Sequence, residues 1–297
     1  MKNIKNSNFV PILSVLLLTI IWGYNWVVMK QSVQLLGPWE FGFIRNFFGA
    51  IFLFIALILL KKPLKLENPV FVFIIGIFQM VGFTVLILIA LVNGGTAKIS
   101  VLTFTMPIWA NILAYIFLKE KLALSQWLAI LISAFGLMMI FDPIHVLSDF
   151  NSMAIAILSG FFWACGAILF KRYNSKYPHS DLLNLTAWQM LLGCIPIVLY
   201  ILFKGIEIYE VNNYLFGASL YNAFFCNAVA WILWLYGVKH LKTSTVSILT
   251  LLAPVIGSLA AFIELGETPL PNELIGLVLI LGGIAFMMIL GLRSTSR

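Results

Sequence analysis

The sequence predicts an all-α integral membrane protein whose ten transmembrane helices form two inverted five-helix repeats, residues 9–142 and 152–291. Three observations carry this expectation. First, 62% of the 297 residues are hydrophobic and only 10% are charged, with a mean hydropathy of +1.05, so polar side chains are too few to cover a soluble globule of this size. Second, one stretch occurs twice. Residues 96 to 121 read TAKISVLTFTMPIWANILAYIFLKEK and residues 243 to 268 read TSTVSILTLLAPVIGSLAAFIELGET. A constant offset brings Thr96 onto Thr243, Ser100 onto Ser247, Thr103 onto Thr250, Pro107 onto Pro254 and Glu120 onto Glu267, which marks an internal repeat. Third, the cations fall on one side of a bilayer threaded by the apolar runs.

Apolar runs bounded by charges or by Gly, Pro and Asn give spans at 9–30, 38–60, 69–92, 95–118, 124–141, 153–171, 181–203, 213–238, 243–265 and 272–291. They are near the ~20 residues that cross a hydrocarbon layer of roughly 30 Å. The first follows Lys2 and Lys5 and so resembles a signal peptide. It is too long for a signal core, lacks a small-residue cleavage pattern and holds Trp22 and Asn25, so it reads as a helix of the fold. The weakest joints are Asn93-Gly94-Gly95, between the third and fourth spans, and Lys239-His240, between the eighth and ninth. The fourth and ninth spans carry Pro107 and Pro254 near their middles. A proline there removes a backbone hydrogen bond, so the carbonyls of Thr103 and Thr250 are expected to face protein or a watery cavity rather than lipid.

With a cytoplasmic N-terminus, the inner side holds Lys2, Lys5, Lys61, Lys62, Lys65, Lys119, Lys121, Lys171, Arg172, Lys176, Lys239, Lys242, Arg293 and Arg297. The outer side keeps Lys30 and Lys204, with Arg45 and Lys98 inside spans. Both termini are therefore expected in the cytoplasm. Five spans per half is an odd number, so the second half enters from the opposite side and the repeats are inverted, an architecture of secondary transporters. Trp22 and Lys30 fall on Trp163 and Lys171, and Arg45 and Gly49 on Gln189 and Gly193.

Several classes are excluded by what the chain lacks. The net charge of +7 is spread over short connections and forms no basic patch with interleaved aromatics, so no nucleic-acid partner is expected. There is no GxxxxGK[ST] run, and Cys165, Cys194 and Cys226 lie inside apolar segments. His145, His179 and His240 are far apart and unmatched by carboxylates, so neither a metal, a cofactor nor a catalytic constellation is expected.

The residues resemble the EamA-type transporters of the drug/metabolite transporter superfamily, over nearly the whole chain. The resemblance is carried by IIWGYNWVVMK at 20 to 30, IRNFFGAIFL at 44 to 53, TAKISVLTFTMP at 96 to 107 with LKEKL at 118 to 122, LSGFFWA at 158 to 164, and TSTVSILTLLAP at 243 to 254 with LGE at 265 to 267. It implies a ten-helix inner-membrane carrier, usually an exporter of amino acids or related small metabolites.

Arg45, about two turns inside the outer end of its span, costs at least a few kcal/mol unless it is paired or hydrated. It reads either as a contact for a substrate carboxylate or as a structural cation that snorkels or pairs with Glu40 and freed carbonyls. Lys98 admits the same two readings. Asn25, Gln79, Thr103, Asn111, Gln189, Asn222, Asn227 and Thr250 are polar inside spans and act either as interhelical glue or as a central polar path. Trp163, with its equivalent Trp22, reads as a cavity wall or as packing. The expected site combines Asn25, Arg45, Gln79, Thr103, Trp163, Gln189, Asn222, Asn227 and Thr250, with Pro107 and Pro254 as helix kinks, and lies near the midplane between the repeats. The expected partners are a small-molecule substrate and the bilayer, with a coupling proton or counter-substrate left open. A multidrug exporter of lipophilic cations would need a buried carboxylate, and a lipid-modifying enzyme would need clustered acids and histidines. A channel remains the third alternative.

Overall fold

The computed structural model describes residues 9–119, 124–140, 150–241, 246, 249–250 and 252–294. The helices are α1 (Phe9–Ser32), α2 (Pro38–Leu59), α3 (Pro69–Asn93), α4 in two pieces (Thr96–Thr103 and Met106–Leu118), α5 (Leu124–Ile140), α6 (Phe150–Lys176) and α7 (Leu182–Lys204). They continue with α8 (Asn213–Leu220, Tyr221–Val229 and Ala230–His240), α9 (Leu252–Leu265) and α10 (Pro271–Ser294). Among the described residues, seven stretches are long and apolar enough to cross a membrane: α1, α2, α3, α6, α7, Thr96–Phe117 and Asn213–Gly237. Leu252–Leu265 and Leu274–Phe286 are apolar but shorter. Part of the predicted ninth span, including Thr243 and Ser247, lies outside the described residues, as do Glu120, Asp142, His145 and Asp149.

Local chemistry sets the starts. Asn68 caps α3, its Oδ1 accepting from the Phe71 amide at 3.1 Å ahead of Pro69, and Asn212 caps α8 by accepting from the Leu215 amide at 3.0 Å. Asp181 caps α7 by accepting from the amides of Leu183 (2.9 Å) and Asn184 (3.0 Å). The middles of α3 and α8 widen into π-helix, at Ile77–Val85 and Tyr221–Val229. Side chains take up the disturbed carbonyls there. Thr84 donates to the Gln79 carbonyl at 3.2 Å, five residues back, and the Asn222 amide donates to the Ala218 carbonyl at 3.1 Å.

The expected kink at Pro107 is instead a break. Phe104 and Thr105 form a turn, and Pro107 sits in the first turn of the second piece, where a missing N–H costs nothing. Pro254 is buried, whereas Pro107 is partly exposed. The carbonyl of Thr103 faces Gly160 of α6, where an added Cβ would stand 2.8 Å away.

The two halves interlock rather than abut. Residues 9–32 of α1 pack on α8 and α9, α2 packs on α7 and α8, α3 on α6 and α7, α4 on α6 and α9, and α5 on α10. The α3–α7 crossing is so close that a Cβ on Gly76 would meet the Gln189 carbonyl oxygen at 2.6 Å, and one on Gly193 the Gly76 carbonyl oxygen at 2.8 Å. Each half also clasps the other through a loop. The α2–α3 loop is held at the start of α7 by Lys62–Asp181 (2.7 Å), by Asn184 Nδ2 donating to the Lys65 carbonyl (2.7 Å) and by Trp188 Nε1 donating to the Leu64 carbonyl (2.9 Å). Reciprocally, the α7–α8 loop is held at the α1–α2 joint. There Gly37 donates to the Glu207 carbonyl at 2.8 Å, Tyr209 donates to the Leu35 carbonyl at 3.0 Å, and Leu36 and Ile208 form an antiparallel bridge.

Candidate functional site

Arg45 projects from α2 into the space between α1 and α8. Its Nη1 lies 2.7 Å from Met29 Sδ and its Nη2 lies 3.5 Å from Asn227 Oδ1, while its Nε is buried with no partner. Among the described residues no carboxylate stands within ion-pair distance of it. The expected alternative partner, Glu40, turns elsewhere: its Oε1 accepts from the Glu207 amide at 3.0 Å and stitches the α7–α8 loop to the α1–α2 joint. The reason is angular. Positions five apart on an α-helix point about 140° away from each other. A guanidinium with a thioether and a carboxamide for partners keeps its charge uncompensated by protein.

Around Arg45 the polar residues form a chain of fixed orientation. Asn227 Nδ2 donates to the Arg45 carbonyl at 2.7 Å and lies 3.4 Å from Asn46 Oδ1. Asn25 lies on the α1 stripe of Ile21, Asn25 and Met29, four residues apart in each step. That stripe faces α8 and α2, because Tyr221 donates to the Ile21 carbonyl at 2.8 Å and Met29 touches Arg45. Trp22 Nε1 donates to the Cys226 carbonyl at 3.1 Å, and its ring meets Trp231 edge to face at 6.1 Å. Arg45, Asn46 and Asn227 are thus brought together, Asn25 and Asn222 lie on the segments of α1 and α8 that pack there, and Trp22 and Trp231 supply apolar surface beside them.

The other expected residues, drawn from both halves, are not brought into that group and sit in separate contacts. Gln79 Nε2 donates to the Trp163 carbonyl at 3.4 Å over Gly166, and the Trp163 ring lies 6.4 Å from Phe83. Gln189 is buried on α7, its Oε1 without a partner. Thr103 Oγ1 and Ser159 Oγ stand 3.5 Å apart between α4 and α6. Thr250 is half-buried and helical ahead of Leu252, next to Leu249, whose carbonyl lies 3.5 Å from Thr19 Oγ1 of α1. Asn111 Nδ2 donates to the Pro107 carbonyl at 2.8 Å.

The sequence reading missed Asn46, which is 1% exposed and adjoins Arg45 in the same span. It also missed that Lys30, placed among the outer cations, caps α3: its ammonium donates to the carbonyls of Leu91 (2.8 Å), Val92 (3.3 Å) and Gly94 (3.1 Å). Among the described residues no three His, Cys, Asp or Glu side chains stand together as a metal site.

The description of the EamA-like transporter family fits this chain twice, at residues 10–142 and 151–289. The chain belongs to the EamA-like transporter family. It is a multi-pass membrane transporter. Among EamA relatives, the uncharacterized transporter YoaV of Bacillus subtilis (strain 168) is 23% identical over 278 residues, 92% of this chain and 94% of that protein. A "Probable amino-acid metabolite efflux pump" of Escherichia coli (strain K12) is 26% identical over 297 residues, 94% of each chain. One of the same name from Salmonella typhimurium (strain LT2) is 24% identical over 295 residues, again 94% of each. A solved chain described as "Crystal structure of protein" superposes with a TM-score of 0.67 at 16% identity, over 95% of this chain and 98% of that one, and shows a shared fold alone.

Proposed function

We propose that this EamA transporter is a secondary or facilitative carrier of the inner (plasma) membrane that exports amino acids or related small metabolites by alternating access. In this reading ten spans form two inverted five-helix repeats, 9–142 and 152–291, with both termini cytoplasmic. The reciprocal clasps support the inversion, because the α2–α3 loop meets the α6–α7 joint as the α7–α8 loop meets the α1–α2 joint. The twofold family match supports the repeat, and two relatives' names support amino-acid metabolites.

Arg45 is the observation that carries the substrate class. Its uncompensated guanidinium, enclosed by α1, α2 and α8, suits the carboxylate of a small solute. Asn25, Asn222 and Asn227 line that group, and Gln79, Thr103, Trp163, Gln189 and Thr250, drawn from both halves, extend the path. Among the described residues no buried carboxylate stands beside Arg45 to draw a lipophilic cation, so multidrug export is the second reading. Coupling to a proton or a counter-substrate is left open, with facilitated exchange or uniport favoured over proton antiport because no deep acid is expected in the spans.

The test is Arg45→Gln in purified, monodisperse carrier reconstituted in proteoliposomes. Loss of carboxylate-solute counterflow, with partial retention in Arg45→Lys, is expected. Unchanged transport with unchanged preference for carboxylate-bearing solutes would return Arg45 to a structural role.

A further inference from the structure

Four buried polar atoms on α1, α2 and α8, which pack together around Arg45, have no partner in the protein, and they divide by chemistry. Arg45 Nε and Asn46 Nδ2 are donors, whereas Asn25 Oδ1 and Asn222 Oδ1 are acceptors. Asn25, Asn46 and Asn222 are 4%, 1% and 0% exposed, so none of these carboxamides turns to bulk water. Such groups are rare in proteins because an unmet buried polar atom is costly, and a cluster of them marks a place where a ligand completes the set.

The orientations follow from the network. Asn227 gives its amide to the Arg45 carbonyl (2.7 Å) and its oxygen to the guanidinium (3.5 Å). The remaining amide proton of Asn227 takes Asn46 Oδ1 at 3.4 Å, which leaves Asn46 Nδ2 free. Asn222 donates its amide to the Ala218 carbonyl at 3.1 Å, which leaves its oxygen free. Asn222 and Asn227 are five residues apart within π-helical turns, whose i→i+5 bonding brings such positions onto one face. Asn25 lies one turn from Ile21, whose carbonyl accepts from Tyr221, and one turn from Met29, which touches Arg45.

We propose that this is a zwitterion site for a free α-amino acid: Arg45 and the Asn46 amide hold the carboxylate, and the oxygens of Asn25 and Asn222 hold the α-ammonium. Trp22 and Trp231 then suit an apolar side chain. A neutral carboxamide pair accepts an ammonium without a fixed negative charge, so a solute bearing only an amine gains too little to enter beside Arg45. A solute bearing only a carboxylate leaves both asparagine oxygens unmet. This assignment rests on the carrier reading above and adds discrimination at the nitrogen.

The probes are L-norleucine, hexanoate and pentylamine, which share a carbon chain and differ in the two charged groups. In proteoliposomes loaded with norleucine, hexanoate and pentylamine are each expected to compete at least about tenfold more weakly than norleucine, since a hydrogen bond to a charged group is worth about a tenfold change or more. Asn222→Leu and Asn25→Leu should bring hexanoate to within about threefold of norleucine, and the milder Asn222→Ser and Asn25→Ser should lie between. Equal competition by norleucine and hexanoate in the wild type overturns the zwitterion site while leaving the carboxylate carrier intact. Competition by none of the three overturns the carrier reading together with the site. Variants that lower the response to norleucine and hexanoate in equal proportion assign the asparagines to structure and overturn the proposal.

Discussion

Glu267 lies between α9 and α10, yet both of its carboxylate oxygens are used at the start of α4. Oε1 accepts from the Thr96 hydroxyl at 2.7 Å and Oε2 from the Ala97 amide at 3.2 Å. The carboxylate therefore stands at a helix N-terminus, where negative charge is favoured, and ties one half of the chain to the other. A hydrogen bond to a charged group contributes about 1.5–3 kcal/mol, and a carboxylate at the first turn adds about 0.3–1 kcal/mol. Thr96 is 0% exposed, so truncation leaves its hydroxyl unmet, whereas Glu267 is only half-buried, which favours the lower end of the range. Glu267→Ala is expected to cost about 2 kcal/mol and Glu267→Gln, which keeps one acceptor, about 1 kcal/mol. The assay is denaturant unfolding in detergent micelles of Thr96→Val, Glu267→Ala and the double variant. A coupling energy on the order of 1 kcal/mol or more is expected, because the two residues share one interaction. Effects that add to within about 0.5 kcal/mol would refute the reasoning.

Two further outcomes follow from the packing and from the clasp of the α2–α3 loop on α7. Gly76→Ala is expected to destabilise the fold by about 1–3 kcal/mol, because the new methyl meets the Gln189 carbonyl oxygen at 2.6 Å and backbone cannot rotate away; a melting temperature equal to wild type counts against the α3–α7 crossing. At Asp181, burial pushes the carboxyl pKa up, but the Lys62 ammonium and the amides of Asn184 and Leu183 outweigh it and hold it below the usual value. A lowered folded value means stability that is present above the unfolded carboxylate pKa of about 3.9 and lost as pH falls through the folded value. The stability gap between wild type and Asp181→Asn should therefore be full near neutrality and close below about pH 4, and a gap that persists in acid would show that charge is not its source.

The span boundaries were legible because the start signals are local. Pro38 takes a first-turn position that needs no N–H, and Asn68 and Asp181 accept from amides two or three residues on, so α2, α3 and α7 begin within one residue of the expected positions. The joint at Gly94-Gly95 was legible for the same reason, but its fastening was not. Lys30 comes from α1 and Glu267 from the far half, and nothing in either stretch of sequence states that they meet residues 91–97. Arg45 was legible as the buried cation, while its surroundings depended on which face each helix turns inward. Glu40 looked like a partner by proximity in sequence and is excluded by angle.

The widened turns were the least legible feature, and they do the most to shape the candidate site. A period of 3.6 residues would send Asn222 and Asn227 about 140° apart, one toward α1 and the other away from it. In the π-helical segment they fall nearer one face, so a single stretch of α8 presents Asn227 to Arg45 and carries the unpartnered oxygen of Asn222 one widened turn before it. The same widening in α3 aligns Gln79 with Thr84, whose hydroxyl bonds the Gln79 carbonyl. Both segments are nine residues long and begin 144 positions apart, the spacing that also separates the caps Asn68 and Asn212. Composition does not mark a π-helix, since it demands no proline or glycine. The cost of its poorer backbone bonding persists only where side chains and packing repay the disturbed carbonyls, as Thr84 and Asn222 do here. A pair of equivalent widened turns, one in each half and each carrying an amide side chain inward, is therefore better explained by a site that needs those amides in line than by packing alone, which an unbroken α-helix satisfies.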